Sequence, residues 1–146
     1  MMTMLILRGK AGHYAGKDWP RGALDEPPAI EYARRRGYVG KVLDIAGVAM
    51  EGSEQTRLAL KEFREDHNVA AIYGFSAGGY NVKHFLDALA KPEAQRLKLV
   101  IVLGAPRPHP EELNPGNYGA DYELIYRTDP AGGHMDGPRA LLATLQ

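Results

Sequence analysis

The chain of 146 residues contains no cysteine. That absence removes a disulfide framework, a thiol nucleophile and thiolate zinc or iron–sulfur sites together, and it fits a reducing compartment. An excess of one charge is also missing, since 18 Lys and Arg balance 18 Asp and Glu. Nucleic-acid binders carry basic excess to displace counterions, so no nucleic-acid partner is expected. The one basic cluster, Arg34-Arg35-Arg36, ends a predicted helix, where the helix dipole favours cations. No apolar run approaches the roughly 20 residues that span a bilayer. The run Met4–Leu7 has neither a basic region before it nor a cleavage site after it. The expectation is a cytoplasmic protein with no membrane partner.

Phosphate and metal chemistry are equally poor in signals. No G-x-G-x-x-G opens the segment after the first strand. The stretch Ala11-Gly12-His13-Tyr14-Ala15-Gly16-Lys17-Asp18 only approximates a P-loop, with alanine for its first glycine and aspartate where Ser or Thr must meet magnesium. The five histidines are scattered without ligand spacing on one helix, so no metal is expected, nor any other cofactor.

What the chain does have is alternation. The length favours a single domain over residues 1–146. Strands are predicted at Met4–Leu7, Tyr38–Ile45, Val69–Tyr73, Leu97–Leu103 and Tyr122–Tyr126. Helical patterns lie between them: from Pro28 to Arg36, stopped by Gly37; from Ser53, a plausible N-cap, to Asp66; from Ala77 to Ala90; and from Pro138 to Leu145. A loop containing Gly and Pro joins Gly9 to Pro28. This alternation predicts an α/β three-layer sandwich, a mostly parallel five-stranded sheet with helices on both faces. Right-handed crossovers make 2-1-3-4-5 the expected strand order. Ligands then bind beyond the carboxyl ends of the strands, where the winding reverses between strands 1 and 3.

One turn carries most of the chemical information. Ile72-Tyr73-Gly74-Phe75-Ser76-Ala77-Gly78-Gly79-Tyr80 contains G-x-S-x-G where an apolar strand gives way to a helix. A sharp strand-to-helix turn strains its central residue, and side chains two positions either side would collide; Gly74 and Gly78 remove them. Ser76 would project from the sheet edge, with the helix N-terminus aimed at developing negative charge and the Ala77 N–H as an oxyanion donor. A simpler role for Ser76, as helix N-cap in a tight glycine turn, competes with this reading.

Gly74-Phe75-Ser76-Ala77-Gly78-Gly79 resembles the nucleophile elbow of the α/β-hydrolase superfamily, and the size resembles its compact, capless, cutinase-like members. The resemblance implies a serine esterase whose triad runs in chain order Ser, acid, His. Downstream of Ser76 lie His84, His109 and His134. His84 stands about 12 Å along the following helix, at 1.5 Å per residue, and points away. His109 sits in a proline-rich loop on the correct sheet edge and is a lesser candidate. His134, between Gly132-Gly133 and the last helix, lies where the superfamily places its histidine.

Asp129, just after the fifth strand, corresponds to the superfamily's acid, which would hold the tautomer of His134 and stabilise its imidazolium. It stands only five positions from His134, closer than is usual for the family. The Asp129-Pro130 pair resembles the cutinase acid loop, without the cysteines that flank it there. Asp136 is the second choice and Asp44 the third, and a Ser–His pair lacking a carboxylate is a further alternative. The second oxyanion donor is expected at Gly9 or Lys10, after strand 1. His13, Tyr14 and Phe75 are candidates to line the substrate site, and Trp19 to form an apolar wall or a loop anchor.

The combined expectation is hydrolysis of a small ester, or a thioester or amide, through an acyl-enzyme on Ser76 with His134 as general base. Alternatives are a non-catalytic binding protein on a hydrolase-like fold and a phosphate- or nucleotide-binding α/β domain. The expected partner is a small-molecule ester, and the oligomeric state stays open.

Overall fold

A computed structural model describes residues 1–9 and 26–145, together with the backbone of residues 12–14 and 17–19. Five strands form one sheet: β1 (Met2–Leu7), β4 (Tyr38–Val42), β5 (Val69–Phe75), β6 (Leu99–Leu103) and β7 (Glu123–Arg127). Two short strands, β2 (Gly12–Tyr14) and β3 (Lys17–Trp19), make a separate antiparallel pair. The main sheet runs β4-β1-β5-β6-β7, and each of its four pairings is parallel. This is the expected order 2-1-3-4-5, and the α/β fold is the expected one.

The strands alternate sides with period two, and both sides are dry. Leu5 and Leu7 of β1 join Ile72, Val100 and Val102 beneath α2 (Glu54–Glu65) and α3 (Ala77–Ala88), where Phe63 meets Phe85 edge to face at 5.4 Å. Met4 and Ile6 join Tyr73, Leu99 and Ile101 beneath α1 (Glu26–Arg35) and α5 (Gly137–Ala143). The strand β5 is buried along its whole length and forms the centre of the sheet. In the edge strand β4 only Tyr38 is buried, and Val39 and Lys41 are exposed, which accounts for its weak apolar pattern.

Local signals explain most element ends. The Ser53 hydroxyl accepts the Thr56 N–H at 3.2 Å and caps α2. Gly37 closes α1 in the left-handed region, with φ +86°. Several details depart from expectation. The segment between β1 and α1 carries the β2–β3 hairpin rather than loop alone. The helix α1 starts at Glu26, because both Pro27 and Pro28 fit a first turn, where no N–H is required. The second strand ends at Val42 rather than Ile45, as the Ile45 N–H turns back onto the Leu43 carbonyl. A short helix α4 (Lys91–Ala94) precedes β6. Among the described residues, no helix is long and apolar enough to cross a membrane.

Candidate active site

The fold carries Ser76 to the carboxyl end of β5, beside β1, where the winding reverses. It is the one non-glycine among the described residues with positive φ, at φ 57° and ψ −119°. Such a conformation costs on the order of 1–3 kcal/mol and persists only where its surroundings over-determine it. The surroundings do so here. The Ser76 N–H is bound to the Leu103 carbonyl at 2.8 Å, and its own carbonyl accepts the Gly79 N–H at 2.9 Å. A Cβ on Gly74 would lie 2.4 Å from the Gly78 carbonyl oxygen, and one on Gly78 would lie 2.0 Å from that of Leu7. Both glycines of the motif are therefore steric necessities.

On the opposite side of the rim, the chain leaves β7 at Arg127 and turns through Asp129 to His134. The Gly133 N–H bonds to the Pro130 carbonyl at 3.0 Å, Gly133 takes φ +109°, and His134 opens a single 3₁₀ turn. This tight reversal brings His134 Nδ1 to 2.8 Å from Asp129 Oδ1, despite the short spacing. The imidazole is 13% exposed and the carboxylate 47%. The Phe75 ring stacks on the imidazole at 4.8 Å with a 23° tilt. Phe75 itself is only 2% exposed, so it supports the histidine from the core instead of lining the substrate site as expected.

Ser76, Asp129 and His134 line one open cavity of about 420 Å³, together with Gly104, Ala105, Pro106 and Thr128. Nothing in the sequence singles out the last four. Gly104 matters most: at φ +60°, a Cβ there would stand 2.7 Å from Asp129 Oδ1 and 3.0 Å from His134 Nδ1. The available signal was its position, one residue beyond the apolar run that forms β6.

The remaining candidates separate cleanly. Gly9 abuts the serine, since a Cβ there would meet Ser76 Cβ at 3.4 Å and the Phe75 carbonyl at 3.3 Å. Ala77 is the first residue of α3, so its N–H has no preceding turn to bond. Lys10 and the side chains of His13, Tyr14 and Trp19 lie outside the described residues. His84 packs against Tyr80 at a 55° tilt in a separate pocket, and exposed His109 precedes a 3₁₀ turn at Pro110–Leu113. Asp136 accepts a bond from Arg139 at 2.5 Å, and neither Asp136 nor Asp44 lines the Ser76 cavity. Among the described residues, no group of three or more His, Asp or Glu side chains is placed to hold a metal ion.

No protein-family model matches the sequence, and no curated protein does. Among solved structures the chain is similar to Trichoderma reesei cutinase in complex with a C11Y4 phosphonate inhibitor. The identity is 16%, the TM-score 0.57, and the match covers 99% of this chain and 74% of the cutinase chain. The likeness spans nearly the whole of this chain, and the two share an α/β fold built on a parallel sheet.

Proposed function

We propose that the protein is a serine hydrolase that cleaves small esters through an acyl-enzyme on Ser76. The observation that carries this reading is a strained serine and a hydrogen-bonded Asp129–His134 pair lining the same cavity. Strain of this kind is retained where a side chain must stand clear of the chain to react. With Nδ1 engaged by Asp129, the other ring nitrogen of His134 is the one that takes the serine proton.

In the first step Ser76 Oγ bonds to the ester carbonyl carbon while its proton moves to His134. The oxyanion so formed accepts bonds from the Ala77 N–H and from a second donor at Gly9 or the adjoining Lys10. Collapse breaks the bond to the leaving oxygen, which takes the proton from His134 as the alcohol departs. Water then repeats the sequence, giving its proton to His134, releasing the acid and restoring Ser76. Asp129 holds the tautomer throughout and stabilises the imidazolium.

The fold shared with a cutinase solved with a phosphonate inhibitor supports the reading in outline and suggests the probe, because phosphonates capture activated serines. A fluorophosphonate should label the wild type once per chain and leave Ser76→Ala unlabelled. Equal labelling of the two would overturn the assignment. The cavity is open and lined by small side chains, which favours short acyl groups. A series of p-nitrophenyl esters should show turnover falling as the acyl chain lengthens.

A further inference from the structure

Two buried amides lie outside the machinery above. Gln55, second in α2, is 1% exposed, and Asn81, one turn into α3 and next to Tyr80, is fully buried. Amide side chains are ordinarily at the surface, and burial without replacement bonds costs about 1–3 kcal/mol. Gln55 Nε2 donates to the Arg8 carbonyl at 2.9 Å and to the Ile45 carbonyl at 3.2 Å. Asn81 Nδ2 donates to Gln55 Oε1 at 2.9 Å. The orientation follows from chemistry. Two carbonyl oxygens demand the NH₂ end of Gln55, so its oxygen faces Asn81, which must present its own NH₂. Asn81 Oδ1 is then buried with no hydrogen-bond partner among the described residues.

The atom held by Gln55 is one step from the proposed oxyanion donors. The Arg8 carbonyl oxygen is also walled by backbone: a Cβ on Gly47 would come within 2.7 Å of it, and one on Gly78 within 2.9 Å. The next carbonyl, that of Gly9, accepts the Gly47 N–H at 3.3 Å. In a trans peptide the N–H points opposite its carbonyl, so fixing the Arg8 C=O also fixes the direction of the Gly9 N–H. Gly9 in turn sits against Ser76.

We infer that Gln55 is a positioning residue for the oxyanion hole, oriented by Asn81 and acting through the Arg8–Gly9 peptide. The inference rests on Ser76 being the nucleophile. Donors contribute most when they are preorganised toward the developing charge, and misplacement by about 1 Å can cost on the order of 100-fold.

Gln55→Met keeps length and loses the donor. Its turnover of p-nitrophenyl acetate should be measured per active serine, with serines counted by end-point fluorophosphonate labelling. The expected result is a kcat lower by about 10- to 100-fold with KM within about twofold. A merely structural role would instead lower the number of labelled serines and leave turnover per serine unchanged, which overturns the inference. Asn81→Ala, which leaves the two carbonyl bonds of Gln55 in place, should lose about three- to tenfold in kcat, and it decides the matter if Gln55→Met does not fold. Unchanged turnover per serine in Asn81→Ala then overturns the inference. If wild-type protein does not take the label, the Ser76 reading falls and this one with it. If the wild type is labelled and the variants match it, only the positioning role falls.

Discussion

The two halves of the cavity rim are built by different means. Around Ser76 the chain is held by backbone against backbone: β5, β1 and the start of α3 approach so closely that single methyl groups at Gly74 or Gly78 have no room. Around His134 the hold is local and wetter, a short turn from Asp129 to His134 with a half-exposed carboxylate and one aromatic ring behind the imidazole. The difference matches the proposed tasks. A nucleophile under strain needs rigid surroundings to keep it there, whereas a base that gives and takes a proton needs only a fixed tautomer and orientation. The comparison predicts that added bulk at the glycines around Ser76 will cost folding as well as activity, and that changing the Asp129–His134 pair itself will cost activity with little loss of stability.

The largest effect should come from separating strain from chemistry at Ser76 itself. Ser76→Gly removes the hydroxyl and supplies a residue that adopts φ 57° without penalty. Ester turnover should fall on the order of 10⁴-fold or more, while thermal unfolding shifts upward, corresponding to about 1 kcal/mol or more of relieved strain. A variant that is both inactive and less stable would mean that the conformation is not strained. Gly78→Ala tests the opposite property. Its methyl would have to displace the Leu7 carbonyl, so denaturant unfolding should show a loss of about 4 kcal/mol or more, or no soluble protein.

Asp129→Asn is the matching test on the other side. The amide can keep the 2.8 Å contact but favours the wrong imidazole tautomer, so kcat should drop by between about 100- and 10⁴-fold. Stability should change by no more than about 0.5 kcal/mol, because the site is half-exposed. A large stability loss here would erase the contrast between the two halves. Gly104→Ala lies between the extremes. A methyl there presses on both members of the pair and forces a positive φ, so activity should fall about 100-fold at a stability cost of about 1 kcal/mol.

The same contrast explains what the sequence reveals. Strand order and the serine turn are legible because both follow from steric rules that leave a mark in residue type: apolar runs, glycines at fixed offsets, a serine between strand and helix. The Asp129–His134 pair is legible in identity but awkward in spacing, since nothing in a linear reading shows that Gly133 at φ +109° can fold the segment from Asp129 to His134 into a closed turn. Gly104 and Gln55 are not legible. The importance of Gly104 comes from β6 lying beside β7, a tertiary fact. Gln55 stands in a first helical turn whose sequence, Glu54-Gln55-Thr56-Arg57, has the composition of a solvated face, and only the approach of the Arg8 carbonyl buries it.

The smallest predicted effect concerns what stands behind the two halves. The segment from Ala105 to Arg127, which supplies Ala105 and Pro106 to the cavity, is tied down by phenol hydroxyls. Tyr126 donates to the Ala105 carbonyl at 3.3 Å, Tyr122 to the Leu113 carbonyl, and Tyr118 to Asp87 at 2.8 Å. Burial raises all three above the ordinary phenol value, and for Tyr118 the bond to Asp87 adds to the rise. A raised value means that the folded chain keeps a proton that the unfolded chain gives up. The contribution to stability is complete below a pH of about 10, the unfolded value, and declines as pH climbs past it. Thermal unfolding should therefore show a steady midpoint from about pH 8 to 9 and a falling one toward pH 11. Tyr38 on the β4 side is raised by burial as well, so variants must locate the effect. Tyr122→Phe and Tyr126→Phe should flatten the alkaline decline, because they remove the ionisation along with the bond. Tyr38→Phe, whose ring packs on the β4 side, should leave most of the slope in place. The reverse result would place the ionisable support under β4, away from the acid–base half of the site.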